Sequence, residues 1–440
     1  MQSMIDVIRF GLLCAIWLVA LIQIIAGEQA TALSDVGVIM FVIFGLLTVP
    51  KMRRDSFIIL LLLGFVAWLL LDHLPTSDEW FEAGRRILIF AALLPTMILV
   101  RATAETMPSV HKTQQALATL PPEASSGGLQ MAGHVFGGVI NTGAFAMLSA
   151  ALPPNSDMRR RRMAAEAALR GMVSSCVWSP FFVAFAIGQI FVPVAQSWIA
   201  IALGLVTAII FALITVPLFS QQFSFAQLRM SLACLQPVSM RLLVVLMTVI
   251  AAAVMFNLTA LSTVVIVMPC LVAIQFVRHR ANIPVIMTQT RHAMTNIGDD
   301  IIIITVAMIV GFFATQTNVL QTLVASFYVG VIPGWFALIA TPTLMMMASV
   351  VGVHPVITST ALLAIFSRGG ADVQPALLMQ SHLIGWGAGT MASVASLSVI
   401  TCASLYNVTS RDLVLGSNLP TAFCYAFGGG IILALVNMFV

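Results

Sequence analysis

The sequence predicts an all-α polytopic membrane protein, and three observations carry that prediction. Hydrophobic residues make up 60% of the 440 and charged residues only 8%, against about 25% charged in a soluble domain. Apolar runs recur along the whole chain, many near the length a helix needs to cross hydrocarbon, separated by short polar or Pro/Gly punctuation. No run alternates with a period of two, which excludes a β-barrel. Too little polar surface remains to cover a core in water. A soluble enzyme, a disordered chain and a nucleic-acid binder are therefore excluded, and the lipid bilayer is the partner of the outer surface.

The runs fall near 7–26, 36–50, 56–74, 86–100, 129–152, 163–195, 197–219, 240–257, 259–277, 300–316, 319–366, 376–405 and 416–440. At roughly 20 residues per span the chain holds about 10–13 membrane segments. The first run lacks a small-residue cleavage signature followed by a polar mature domain, so it reads as a retained helix. The six cysteines form no C-x-x-C pair and read as small apolar packing residues.

Loop charge sets the orientation. Lys51, Arg53, Arg54, Arg101, Lys112, Arg159 to Arg162, Arg229, Arg241, Arg278, Arg280, Arg291 and Arg411 fall in one set of connections, and Glu28, Asp35, Asp78, Glu79 and Glu82 in the other. The consistent solution places the N-terminus in the cytoplasm of a bacterial-type inner membrane. It requires that 129–152, which lies between two basic loops, enter and leave on the cytoplasmic side. It also requires that 335–367 enter and leave from outside, with 318–333 along the outer surface. Two opposed re-entrant hairpins in corresponding positions are the mark of an inverted-repeat transporter with broken helices. The chain then divides into N-terminal scaffold helices (1–128), a first hairpin and broken helix (129–195), scaffold or connecting helices (196–334), a second hairpin and broken helix (335–406) and a C-terminal helix (407–440).

Non-helical backbone at membrane depth is tolerated only where protein or a polar cavity satisfies it, and four clusters of small polar residues mark such places. Gly137 to Gly143 forms the first tip, where Asn141, Thr142 and Gly143 offer donors and acceptors to a ligand or simply make a capped turn. Ser174, Ser175 and Ser179 surround Pro180, either lining a break or bonding back to their own helix. Gly352-Val353-His354-Pro355 bends the second tip, followed by Thr358, Ser359 and Thr360. Gly385 to Ser404 contains Ser396 and Ser398 and reads as a second break or as a close-packing helix face.

No carboxylate lies clearly at mid-membrane; Asp72, Glu166, Asp299 and Asp300 come nearest, all at span boundaries. Protons usually need such a carrier, whereas sodium needs only hard oxygens. Helix N-termini at the tips favour an anion. The expected ligands are therefore a small anionic solute and sodium, with Asn141, Thr142, Thr358 and Ser359 as sodium ligands. Glu166 and Arg170 read as an i,i+4 ion pair. His354 either donates to a carboxylate or bonds backbone at its turn, and His134 and His382 have no sequence neighbour that makes a metal set. Arg159 to Arg162 reads as a topology anchor touching lipid headgroups. Asp299-Asp300 beside Arg291-His292 is the one cluster that an enzyme acting on lipid-linked substrates could use, and helix-start acids explain it; the chain is expected not to be an enzyme.

Over residues 125–440 the pattern resembles the ion transporter superfamily, and within it the divalent anion/sodium symporters. Ile140-Asn141-Thr142 is similar to the first Ser-Asn-Thr tip of that family, with Leu152-Pro153-Pro154, a basic stretch and Ser174 to Pro180 following in order. Thr358-Ser359-Thr360 is similar to the second tip. Thr401 to Asn407, then Ser410 to Gly416, resemble the second break and the C-terminal end. The resemblance implies sodium-coupled transport of a carboxylate-like anion, a homodimer, and a transport domain moving like an elevator. A sodium/proton antiporter of the same superfamily is the alternative; it needs a membrane-buried aspartate.

Overall fold

A computed structural model describes residues 2–71, 74–153, 155–219, 224–317, 319, 322, 326, 330–367 and 370–440. In chain order the helices are α1 (Gln2–Ala26), α2 (Thr31–Thr48), α3 (Arg54–Leu70), α4 (Ser77–Glu105), α5 (Pro108–Ala118), α6 (Pro122–Ile140), α7 (Gly143–Ser149), α8 (Met158–Ser175), α9 (Val183–Phe191), α10 (Val194–Phe219) and α11 (Phe225–Ala233). They continue as α12 (Gln236–Phe256), α13 (Ala260–Arg278), α14 (Ile283–Asn296), α15 (Gly298–Gln316), α16 (Gly334–Val350), α17 (Pro355–Phe366), α18 (Pro375–Ala392), α19 (Leu397–Tyr406), α20 (Ser410–Leu415) and α21 (Asn418–Asn437). Among the described residues there is no strand, only an isolated bridge between Ile332 and Ala371. The surface segment expected at 318–333 lies mostly outside the described residues, as does Asp72.

Seven of the described helices are long and apolar enough to cross a membrane. The number is nine when α14–α15, bent by 58°, and α18–α19, bent by 43°, each count as one span. The lower number than composition suggests has a physical origin: the apolar runs at 129–152, 163–195 and 335–367 are each interrupted by a turn, which leaves pieces that are either short, as α7, α9 and α17, or mixed with polar and charged residues, as α6 and α8. Outward faces of the long helices are apolar, with Leu46 70%, Leu213 62% and Val254 76% exposed. Such continuous apolar exposure requires lipid as solvent, and the chain is a multi-pass membrane protein.

The chain forms two compact units, 1–106 with 247–327 and 107–246 with 328–440. In the first, α1 and α2 are antiparallel and tied at both ends. Lys51 pairs with Asp6 at 2.9 Å and Arg9 Nε donates to Thr48 Oγ1 at 3.1 Å; at the opposite end Arg85 pairs with Asp35 at 2.6 Å and Gln23 donates to the Arg85 carbonyl. Asp299 accepts from the Arg53 backbone N–H and guanidinium, which ties the start of α15 to the start of α3. Phe312 and Phe313 pack on Ala83 in its core.

The second unit contains one motif twice. In the first copy α6 and α8 run parallel in close contact. A methyl group at Gly133 would meet the Ala168 carbonyl oxygen at 2.7 Å, one at Gly137 the Met172 Cα at 2.9 Å, and one at Gly171 would collide with the Gln130 carbonyl oxygen. Two parallel helices joined by 17 residues require the intervening chain to return, and it does so through the tip at Asn141 and the short α7. In the second copy α16 and α18 are parallel for the same reason: Gly385 meets Pro342, Gly389 meets Ser349, and Ser381 Oγ donates to the Leu338 carbonyl at 3.0 Å. Here α17 is the returning arm. Each copy then breaks, α8 into α9 across 176–182 and α18 into α19 across 393–396, and each is followed by a long apolar helix, α10 or α21.

The glycine contacts predict a contrast. Gly171→Ala puts a methyl into backbone and costs about 1–3 kcal/mol. Gly428→Ala, where nothing lies within 4 Å, leaves stability unchanged or raises it by up to about 1 kcal/mol through better helix propensity. Thermal unfolding of the two variants in detergent measures the difference.

Candidate functional site

The candidate site is built in the second unit from the two tips and the two breaks. At the first tip α6 ends at Asn141, whose φ of 52° and ψ of −133° lie where Asn is better tolerated than most side chains. Its N–H donates to the Gly137 carbonyl at 2.9 Å, and its carbonyl accepts from Ala144 at 3.0 Å. Both Asn141 and Thr142 are half-buried and Gly143 is buried. Among the described residues neither the Asn141 amide nor the Thr142 hydroxyl makes a hydrogen bond, so these donors and acceptors remain available.

The first break follows from Pro180, which has no N–H, and from serines that satisfy carbonyls on the way out of α8. Ser175 Oγ donates to the Met172 carbonyl at 2.6 Å and Ser174 Oγ to that of Gly171 at 2.7 Å. Back-bonding to their own helix thus holds for these two. Ser179 instead crosses to the tip: its hydroxyl donates to the Gly138 carbonyl and accepts from the Phe181 N–H. The tip and the break are therefore one structure.

At the second tip Gly352 carries φ 92°. The Gly352 N–H donates to Ser349 and the Val353 N–H to Ala348, at 3.0 and 2.9 Å, ending α16 in a Schellman arrangement. His354 is a capping residue: its Nδ1 accepts from the Val356 N–H at 3.2 Å, so of the two readings the backbone-bonded turn is the one observed. Thr358 and Thr360 donate to the Pro355 and Val356 carbonyls. Ser359, fully buried, bonds His382 Nδ1 at 3.0 Å.

The second break carries no proline. Ser396 makes it, capping α19 by accepting from Val399 N–H at 3.2 Å while donating to the Thr390 carbonyl at 2.6 Å. Ser398 is 9% exposed and its hydroxyl has no hydrogen bond among the described residues.

Two histidines that have no local partner in sequence turn out to be bonded across elements, His134 within the first copy and His382 between the copies. His382 is fully buried; its Nε2 faces the Ala184 carbonyl at 2.8 Å. A carbonyl only accepts, so Nε2 carries the proton, and in the neutral ring Nδ1 accepts from Ser359. His382 thus joins α18 to α17 and to α9. His134 accepts on Nε2 from the Trp178 indole at 3.1 Å and bonds Ser174 Oγ through Nδ1 at 2.9 Å. Gln380 faces the Val177 and Ala200 carbonyls at 3.1 Å, in the orientation that lets its NH2 donate to both. Around them α18 packs on α8 and α9, α17 on α9, and α19 on α7 and α8. The side chains of Asn141 and Thr142 make no hydrogen bond to His354, Thr358, Ser359 or Thr360 among the described residues.

Arg170 is the third group whose role sequence order hides. It is 2% exposed, 3.9 Å from Glu166, and its guanidinium lies 4.0 Å from the Phe219 ring centroid. The pair is relayed rather than direct: Arg170 Nη1 donates to Ser417 Oγ at 2.9 Å and Asn418 Oδ1 at 3.0 Å, and Ser417 Oγ donates to Glu166 Oε2 at 2.6 Å. Glu166 also binds Arg162 at 3.0 Å. This network fastens α8 to the start of α21. Among the described residues no three His, Cys, Asp or Glu side chains gather as a metal set.

No protein-family model matches the chain, and no curated protein matches it in sequence.

Ser359 and His382 should be energetically coupled. His382→Phe is expected to cost about 1–3 kcal/mol of stability, and the double-mutant cycle with Ser359→Ala to give a coupling of about 1 kcal/mol, read from unfolding midpoints in detergent.

Proposed function

We propose that the chain is a secondary active transporter of a small carboxylate-like anion, coupled to sodium. The observation that carries this reading is the doubled motif of the second unit: two parallel helix pairs, each with a returning arm and each running into a broken helix, with the broken helices packed against one another. In a bilayer each returning arm is a re-entrant hairpin. Two such hairpins, of opposite orientation in the membrane, make an inverted repeat whose tips form one site. The shared location of Ser125 and Arg159 at one cavity (below) supports the reading that 129–152 enters and leaves on one side.

The hydrogen bonding supports a cation and an anion together. The hydroxyls of Ser175, Ser179, Thr358, Ser359, Thr360 and Ser396 spend their protons on carbonyls or on His382. Their remaining lone pairs are hard acceptors suited to sodium. Asn141 and Thr142 keep unengaged donors for an anion. Of the described carboxylates in this unit, Asp157 caps α8, Glu166 is held by Arg162 and Arg170, and Asp372 and Asp412 are exposed. None is placed as a proton carrier, which favours sodium over the antiporter reading. Asp299, tied to Arg53, is a structural bond in the other unit and gives an enzyme reading no support.

On this reading the segments 129–195 and 335–406 move as the transport domain of an elevator, in a homodimer held in a bacterial-type inner membrane with the N-terminus in the cytoplasm. Uptake of labelled dicarboxylates and inorganic anions into proteoliposomes, with and without an inward sodium gradient, tests it. Sodium-dependent uptake of a member of the panel is expected. Asn141→Gly removes the amide while accepting the backbone at φ 52° and should lower that uptake about tenfold, the loss of one polar ligand contact. Uptake that ignores the sodium gradient, or that survives Asn141→Gly unchanged, overturns the assignment.

A further inference from the structure

We propose that a cavity at the start of α6 and α8 is a binding site for a phosphate ester, distinct from the tips and breaks. The cavity has a volume of about 430 Å³, within the range of small-ligand sites. Its polar lining is Ser125, Ser126, Asn155, Ser156, Asp157, Arg159 and Arg160, of which Ser156 spends its hydroxyl on the Pro153 carbonyl. The four consecutive arginines of the sequence divide there into two pairs. Arg162 is neutralised by Glu166, and Arg161 Nε donates to the Ser156 carbonyl at 2.9 Å. The Arg159 and Arg160 guanidiniums have no acceptor among the described residues, and neither do the Ser125, Ser126 and Asn155 side chains.

Asp157 is the one acid in the lining, and its Oδ1 is engaged by the Arg160 backbone N–H at 2.8 Å as the cap of α8. What remains is two guanidinium forks, two hydroxyls and an amide, with the positive end of the α8 dipole beside them. This is a donor-rich set with net positive charge. Guanidinium forks match the paired oxygens of a phosphate, and serine hydroxyls and a helix N-terminus complete such a shell. A topology anchor needs only charge; it does not need a cavity or unengaged serines on a second helix. The ester is carried either by an anionic lipid headgroup or by a soluble phosphate compound, and the two present the same oxygens to this lining. The site does not depend on the transport reading.

The test uses the full chain purified in a neutral detergent. Its probes are a fluorescent phosphatidylglycerol in mixed micelles, inorganic phosphate alone, and oleate as an anionic amphiphile without phosphorus. Saturable binding of phosphatidylglycerol or of inorganic phosphate is expected, with oleate a weak competitor. Displacement of the lipid by millimolar inorganic phosphate assigns a soluble ester, and lipid binding that phosphate does not displace assigns a headgroup. Arg159→Gln/Arg160→Gln should weaken binding about thirty-fold, at about fivefold per arginine. Ser126→Phe, which fills the cavity and keeps the charge, should weaken it about tenfold or more. Arg278→Gln/Arg280→Gln, which removes the same charge elsewhere, should leave it unchanged. Equal loss in the two arginine pairs with none in Ser126→Phe, equal competition by oleate, or no saturable binding of either phosphate probe overturns the proposal.

Discussion

Inside lipid a backbone N–H or C=O without a partner costs several kcal/mol, and the second unit is organised around meeting that demand at its interruptions. At the first tip and at both breaks a neutral side chain is directed at the exposed carbonyls, while the second tip is closed by the backbone N–H groups of Gly352 and Val353. Ser179 answers Gly138, Gln380 answers Val177, Ser396 answers Thr390, and Ser175 answers Met172. Neutral groups can do this without the desolvation that a charge would cost. The one fully buried guanidinium among the described residues, Arg170, is placed differently, against an aromatic face with two side-chain acceptors and a relayed carboxylate. It lies at a helix junction and not at a break.

The second constraint is distance. Parallel helices joined by a returning arm must approach closely for the arm to pack against both, and glycine at the contact allows it. Gly133, Gly137 and Gly171 do this in one copy of the motif, and Gly385 and Gly389 in the other. Small residues thus set the spacing, while polar residues set the geometry of the ends.

What the sequence made legible follows the same division. Membrane character, helical class and the helix interruptions near Asn141 and Gly352 could be read because they depend on local chemistry: Asn141 and Gly352 are residue types suited to positive φ, and Pro180 removes a donor wherever it sits. The break before α19 was harder to see because Ser396, a cap, looks in sequence like any other small residue on a packing face. His134 and His382 could not be read at all. Their partners, Ser174 and Trp178 for one and Ser359 and Ala184 for the other, are fixed by packing between distant elements. Their only sequence signal is a histidine in an apolar run without a local acid. Composition suggests more spans than the seven to nine found among the described helices for a related reason, since it counts apolar length and does not register a turn inside it.

The reach of His382 has a consequence for how the protein is made. Ala184 emerges from the ribosome 198 residues before the imidazole that bonds it, a wait of about 10–40 s at 5–20 residues per second. During that interval α9 is present without α17 or α18, and the Ala184 carbonyl is without the imidazole that later bonds it. The contact at the centre of this unit is therefore among the late ones to form, however early the first helices enter the bilayer.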